Sequence, residues 1–127
     1  MRSGDVRDPQ SFYVSAVIEA AIFGAQEKLS ADIVVLDVRE LQETLDALVI
    51  ATGRNDRQVR AIADDIEEQV ARALDVRPTR VEGLTVADWV AIDYGDVIIH
   101  VFLESARDYY DLEHLWSAAP AYRPTEQ

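Results

Sequence analysis

The 127-residue chain contains no cysteine. Disulfides, thiolate nucleophiles and cysteine-based metal centres are therefore excluded. A cysteine-free composition fits a reducing compartment, and the expected location is cytoplasmic. Basic residues are scarce: 12 Lys and Arg stand against 24 Asp and Glu, for a formal charge of -12 at pH 7. A stand-alone nucleic-acid binder needs cations to displace the counterions of phosphates. This chain would be repelled by an RNA backbone at long range, and no direct nucleic-acid specificity is expected. No apolar run is long enough to span a bilayer, so no membrane partner is expected. The opening MRSGDVRDPQ is polar and carries acids, unlike a secretory signal. Asp-x-Asp occurs nowhere, and neither the three-glycine dinucleotide fingerprint nor a Gly-Lys-Ser/Thr phosphate loop is present.

What is present is an ordinary globular composition, 49% apolar, at a length suited to one domain. Residues 1–10 read as a disordered lead-in, 11–117 as the single domain and 118–127 as a flexible tail. Val14, Val17, Ile18, Ala21, Ile22, Ala25 and Leu29 recur at helical spacing from Ser11 to Leu29. Ile33–Val38 is a β-branched run whose continuity suggests a central strand, and Ala47–Ala51 is a second strand. Asn55 is a good helix cap, with Gln58 completing a capping-box-like spacing. Val59, Ile62, Ala63, Ile66, Val70, Ala73 and Leu74 form the buried stripe of the helix that follows. Thr79–Glu82 is a short strand, and a last helix runs from Ala106 to about Ser117, started by Ser105. The order αββαβββα predicts an α/β (α+β mixed) domain: a five-stranded mixed sheet with helices packed on it. The crossover through the second helix is expected to place its flanking strands side by side in parallel.

The most informative stretch is Trp89 to Trp116, WVAIDYGDVIIHVFLESARDYYDLEHLW. Gly95-Asp96 suits a two-residue hairpin turn, because glycine tolerates positive φ. A two-residue turn pairs Tyr94 with Val97, Ile92 with Ile99 and Val90 with Val101 on a plain apolar face. The opposite face then carries Trp89, Ala91, Asp93, Ile98, His100 and Phe102. Such a mixed face is either covered by a helix or offered to a partner.

Several constellations invite chemistry, and each has a simpler reading beside it. The Gly53 turn before a capped helix could hold an anion with Arg54 and Arg57, but an ordinary capped turn explains it. Asp93 and Asp96 could hold a metal ion for a nucleotidyl or phosphoryl transferase, yet Asp is common at turns. His100 with Asp93 nearby could be a general base, though no Ser, Lys or Cys nucleophile stands beside it. The run Asp64-Asp65-Ile66-Glu67-Glu68 is a solvated helix face or a landing area for cations. Tyr109, Leu112 and Trp116 line one side of the last helix as core would, with Tyr110 off the stripe.

The stretches ADIVVLDVRELQ, LVIATGRNDRQVRAIADDIEE, VEG and the Trp89–Trp116 run resemble the ribosomal silencing factor family (RsfS, also called Iojap-like). The resemblance covers Ser11 to Trp116 and is most specific in Asp-Tyr-Gly-Asp-Val, His-Val-Phe and Ala-Arg-x-Tyr-Tyr-Asp-Leu-Glu-x-Leu-Trp. It implies a fold similar to nucleotidyltransferases without their catalytic acids, no enzyme activity and no cofactor. It further implies docking on ribosomal protein uL-fourteen of the large ribosomal subunit, which blocks joining of the small subunit when nutrients are scarce. The expected partner-binding residues are Trp89, Asp93, Tyr94, Gly95, Asp96, Ile98, His100 and Phe102. Of these, Trp89, Ile98 and Phe102 would be the apolar anchors. Two alternatives stay open: a metal-dependent transferase using Asp93 and Asp96, and a homodimer built on the mixed hairpin face. The chain departs from the family pattern at Arg54-Asn55, where Thr-Ser is usual, and at Ala47, where an aromatic is frequent.

Overall fold

The computed structural model describes residues 9–124, in the order α1 (Pro9–Glu27), β1 (Ala31–Asp37), β2 (Ala47–Gly53), α2 (Asp56–Leu74), β3 (Arg80–Glu82), β4 (Trp89–Asp93), β5 (Val97–Leu103), α3 (Glu104–Tyr110), α4 (Leu112–Leu115) and β6 (Ala121–Tyr122). Among the described residues the strands form one mixed sheet in the order β3-β4-β5-β2-β1-β6. The first eight elements follow the expected order. The sheet has six strands and not five, because Ala121 and Tyr122 pair antiparallel with Leu36 and Val35. That pair belongs to the sheet, so the expectation of a flexible tail from residue 118 fails there; residues 125–127 lie outside the described ones. Of the expected lead-in, residues 1–8 lie outside them too, while Pro9 and Gln10 already belong to α1.

β2 runs parallel to β5, not to β3 as the crossover argument expects. The sequence carries the reason. Val97, Ile99, Val101 and Phe102 of β5 are fully buried, a pattern that needs a central position. β3 has three residues, and its Arg80 and Glu82 are exposed, which suits an edge.

The sheet has two differently covered faces. The first lies under α1 and α2, where Val17, Ala21 and Ala25 meet Val59, Ile62, Ile66 and Val70 over Val49, Ile92, Ile99 and Val101. The helix pair approaches closely at Gly24, where a Cβ would sit 2.9 Å from the Asp65 carbonyl oxygen. The second face gathers Val34, Leu36, Leu48, Ile50 and Phe102 beneath the short helices α3 and α4. Strand β5 runs straight into α3, so the helix boundary falls at Leu103 and Ser105 lies inside the first turn without capping it. The single expected helix is broken at Asp111, which takes φ 48 and donates its N–H to the Arg107 carbonyl. Asp tolerates this left-handed conformation better than most residues.

Candidate functional site

The hairpin has the expected register. Trp89 faces Phe102, Val90 Val101, Ala91 His100, Ile92 Ile99 and Asp93 Ile98. The Tyr94 N–H donates to the Val97 carbonyl at 2.9 Å, which closes the two-residue turn. Gly95 takes φ 94 with open space around its Cα, so backbone conformation and not crowding requires glycine here. The tip is anchored from outside as well: the Asp96 carbonyl accepts from Asp46 N at 2.8 Å and Ala47 N at 3.2 Å, tying it to the start of β2.

The eight expected site residues do not share one fate. Trp89, Asp93, Asp96 and Ile98 are half-buried and Gly95 is exposed, so all five are reachable. Tyr94 points into the first core, 4% exposed, as its pairing with Val97 requires. Phe102 is fully buried on the second face and cannot itself be an anchor. It is the floor on which Trp89 lies, with ring centroids 5.0 Å apart. Tyr110 packs against the same indole at 4.6 Å. Offset and tilted aromatic pairs at such distances are favourable beyond simple area burial.

His100 is buried, and its Nδ1 accepts a hydrogen bond from the Trp89 indole N–H at 2.9 Å. Its ring also stacks beside Phe102. Burial pushes its pKa down to about 4, so the ring is neutral near pH 7. The expected partnership of His100 with Asp93 does not form in the hydrogen-bond pattern: Asp93 Oδ1 instead accepts from Gly95 N at 2.8 Å, a local turn bond.

Sequence reasoning missed two contributors. Tyr110, off the helical stripe by spacing, packs against Trp89, while Tyr109 is 81% exposed; Leu112 and Trp116 do pack on the second core. Arg107 is buried and holds α3, α4 and the sheet together. Its guanidinium donates bidentately to Glu113 at 2.9 and 3.0 Å, to the Asp32 carbonyl at 2.5 Å and to Thr52 Oγ1. Arg123 adds an ion pair to Asp32 at 2.8 Å. The Ala-Arg-x-Tyr-Tyr motif contained both residues. Only the break at Asp111 and the remote Thr52 give them their roles.

The Gly53 turn is structural. A Cβ at Gly53 would lie 2.9 Å from Val59 Cγ2, so glycine lets α2 start against the strand. Asn55 Oδ1 accepts from Gln58 N at 2.8 Å, and Gln58 Oε1 accepts from Arg54 N at 2.7 Å. The departure at Arg54-Asn55 therefore keeps the cap. Ala47 lies on the first face and lines a cleft of about 200 Å³ with Val14, Ile18, Val35 and Tyr122. The small side chain at 47 thus sits beside α1.

Comparison with known proteins identifies the family. Residues 13–127 match the family described as ribosomal silencing factor during starvation. The ribosomal silencing factor RsfS of Bacillus subtilis is 37% identical over 105 residues, 83% of this chain and 88% of that protein. A mouse protein named mitochondrial assembly of ribosomal large subunit protein 1 is 28% identical over 95 residues, 72% of this chain and 41% of its own length. A crystal structure from Chromobacterium violaceum, 35% identical, covers 82% of this chain and 86% of that one with a TM-score of 0.78. The family is regulatory and not enzymatic, which sets aside the transferase alternative built on Asp93 and Asp96. By sequence over most of its length and by fold, the chain belongs to the ribosomal silencing factor family.

Proposed function

We propose that the protein is a translational repressor that docks on ribosomal protein uL-fourteen of the large ribosomal subunit and sterically blocks joining of the small subunit under nutrient limitation. The observation that carries this reading is the second face of the sheet. Around Trp89 and Ile98 it is apolar yet only partly covered, while the first face is closed by two long helices. Half-exposed tryptophan and tyrosine on a rigid strand-and-helix platform are typical interface anchors. The mouse relative's name, which refers to assembly of a large ribosomal subunit, and the silencing-factor names of the bacterial relatives supply the partner class.

Trp89, Ile98 and Tyr110 form the apolar contact in this reading, and Asp93 and Asp96 border it with negative charge. The formal charge of -12 steers the domain toward a cationic ribosomal protein and away from the RNA around it. The location is cytoplasmic, and the same uncovered face supports a homodimer when the protein is free. The deciding experiment is co-sedimentation with purified large subunits followed by a subunit-joining assay. Binding with inhibited joining is expected; normal joining at saturating protein overturns the reading.

A further inference from the structure

We infer that His100 is a positioning residue whose imidazole Nδ1 fixes the Trp89 indole in its docking pose without itself meeting the partner. The inference rests on the docking reading above and adds to it how the anchor is prepared.

Trp89 is partly buried and packed on the second core. Trp89 has Phe102 beneath it at 5.0 Å and Tyr110 beside it at 4.6 Å. Ring contacts of this kind define a plane but leave the ring free to slide. Among the described residues, the one directional contact of the ring is the 2.9 Å hydrogen bond from indole Nε1 to His100 Nδ1. The acceptor nitrogen must be unprotonated, which puts the imidazole proton on Nε2. His100 stacks beside Phe102 and is buried, so its own position is set by the sheet and by the aromatic floor. Because 89 and 100 lie diagonally across the β4–β5 pair, the bond crosses the strands and makes the indole rigid with the sheet. An anchor held in its bound rotamer before encounter loses less conformational entropy on binding.

Asn places an acceptor where His Nδ1 stands, whereas Leu has a similar size and none. A merely space-filling role for residue 100 would favour Leu in so apolar a setting. Positioning demands the reverse order. Affinity for purified large subunits is expected to fall about five- to tenfold in His100→Leu, with most of it recovered in His100→Asn. In ¹H–¹⁵N spectra of the free protein, the Trp89 indole N–H should exchange slowly in the parent and in His100→Asn, and quickly in His100→Leu. In a Trp89→Phe background, which lacks the donor, His100→Leu should have no further effect on affinity.

Parental affinity in a folded His100→Leu, or an indole N–H that is unchanged by it, overturns the inference. If the parent itself fails to bind large subunits, the docking reading falls, and the indole signal still decides whether His100 holds Trp89. A His100→Leu protein that does not fold leaves the decision to His100→Asn. A fast-exchanging indole N–H in that variant counts against positioning, and a protected one counts for it.

Discussion

On the first face of the sheet, Ile92, Ile99 and Val101 lie under α1 and α2 and meet Ile62 and Ile66 of α2, all five with no exposure at all. On the second, Ile50 and Phe102 are equally buried, but Trp89 and Ile98 beside them stay partly exposed. The strands are the same; the cover differs. α1 and α2 have 19 residues each, while α3 has seven and α4 four. A short broken helix cannot roof a six-stranded sheet, so the second face ends in an aromatic step instead of a lid. The closed side carries the larger core and the open side the proposed recognition surface, a division that can be tested from both ends.

The largest effect is expected on the closed face. Ile66→Ala removes a fully buried side chain where α2 meets α1 and should cost about 4 kcal/mol, read as a lower urea midpoint with unchanged slope. Binding by the folded fraction should match the parent. Weaker binding beyond the unfolded fraction would break the division of labour. On the open face, Trp89→Glu should leave the domain folded and weaken co-sedimentation with large subunits at least about a hundredfold, or ~2.7 kcal/mol. A variant that still co-sediments at parental affinity would show that the contact lies elsewhere.

Between these extremes lies His100, buried at the border of the open face. Its folded pKa of about 4 is below the value of about 6.5 for an unfolded chain. Between those values the unfolded chain takes up a proton that the native ring refuses. Stability is therefore full above pH 6.5 and falls as the pH drops toward 4. The loss from this group is about 2.5 kcal/mol at pH 4.5. Carboxylates titrate in the same range, so the measurement is a difference: urea midpoints at pH 7 and 4.5 for the parent against His100→Asn. A parallel pair of profiles would mean that the imidazole is not the proton-sensitive group.

How far the sequence already contained this contrast depends on the distance over which each feature is decided. The hairpin register followed from two residues, because a Gly95-Asp96 turn sets the parity of every pair behind it. The cap at Asn55 is equally local and was equally readable. The sixth strand was not, because Ala121 and Tyr122 have no strand pattern of their own and borrow their conformation from β1, more than eighty residues back. The break at Asp111 replaces one expected helix by two, and it turns Tyr109 to solvent and Tyr110 onto Trp89. Arg107 reads as a surface charge until Thr52 and Asp32 arrive from remote strands to surround it. At the site, alternation named the residues of the open face but not their depth. Nothing local distinguishes Phe102, sealed under α3, from Trp89, which lies across it.

The smallest effect sharpens the comparison at the hairpin tip, where charge and turn geometry meet in one carboxylate. Asp93 Oδ1 accepts from Gly95 N at 2.8 Å in an exposed setting, so the bond contributes on the order of 0.5 kcal/mol. Asn at 93 keeps the acceptor and removes the charge; Ala removes both. Asp93→Asn should therefore match the parent in urea, while Asp93→Ala should lose about 0.5 kcal/mol. Association with large subunits should behave differently. Both variants should bind a few-fold more slowly at low salt, and the deficit should vanish as salt screens the encounter. Dissociation should stay close to parental, because a rim charge acts mainly on the approach. An equal deficit at high and low salt would mean that Asp93 touches the partner directly, extending the apolar contact of Trp89 and Ile98 to the very tip of the hairpin.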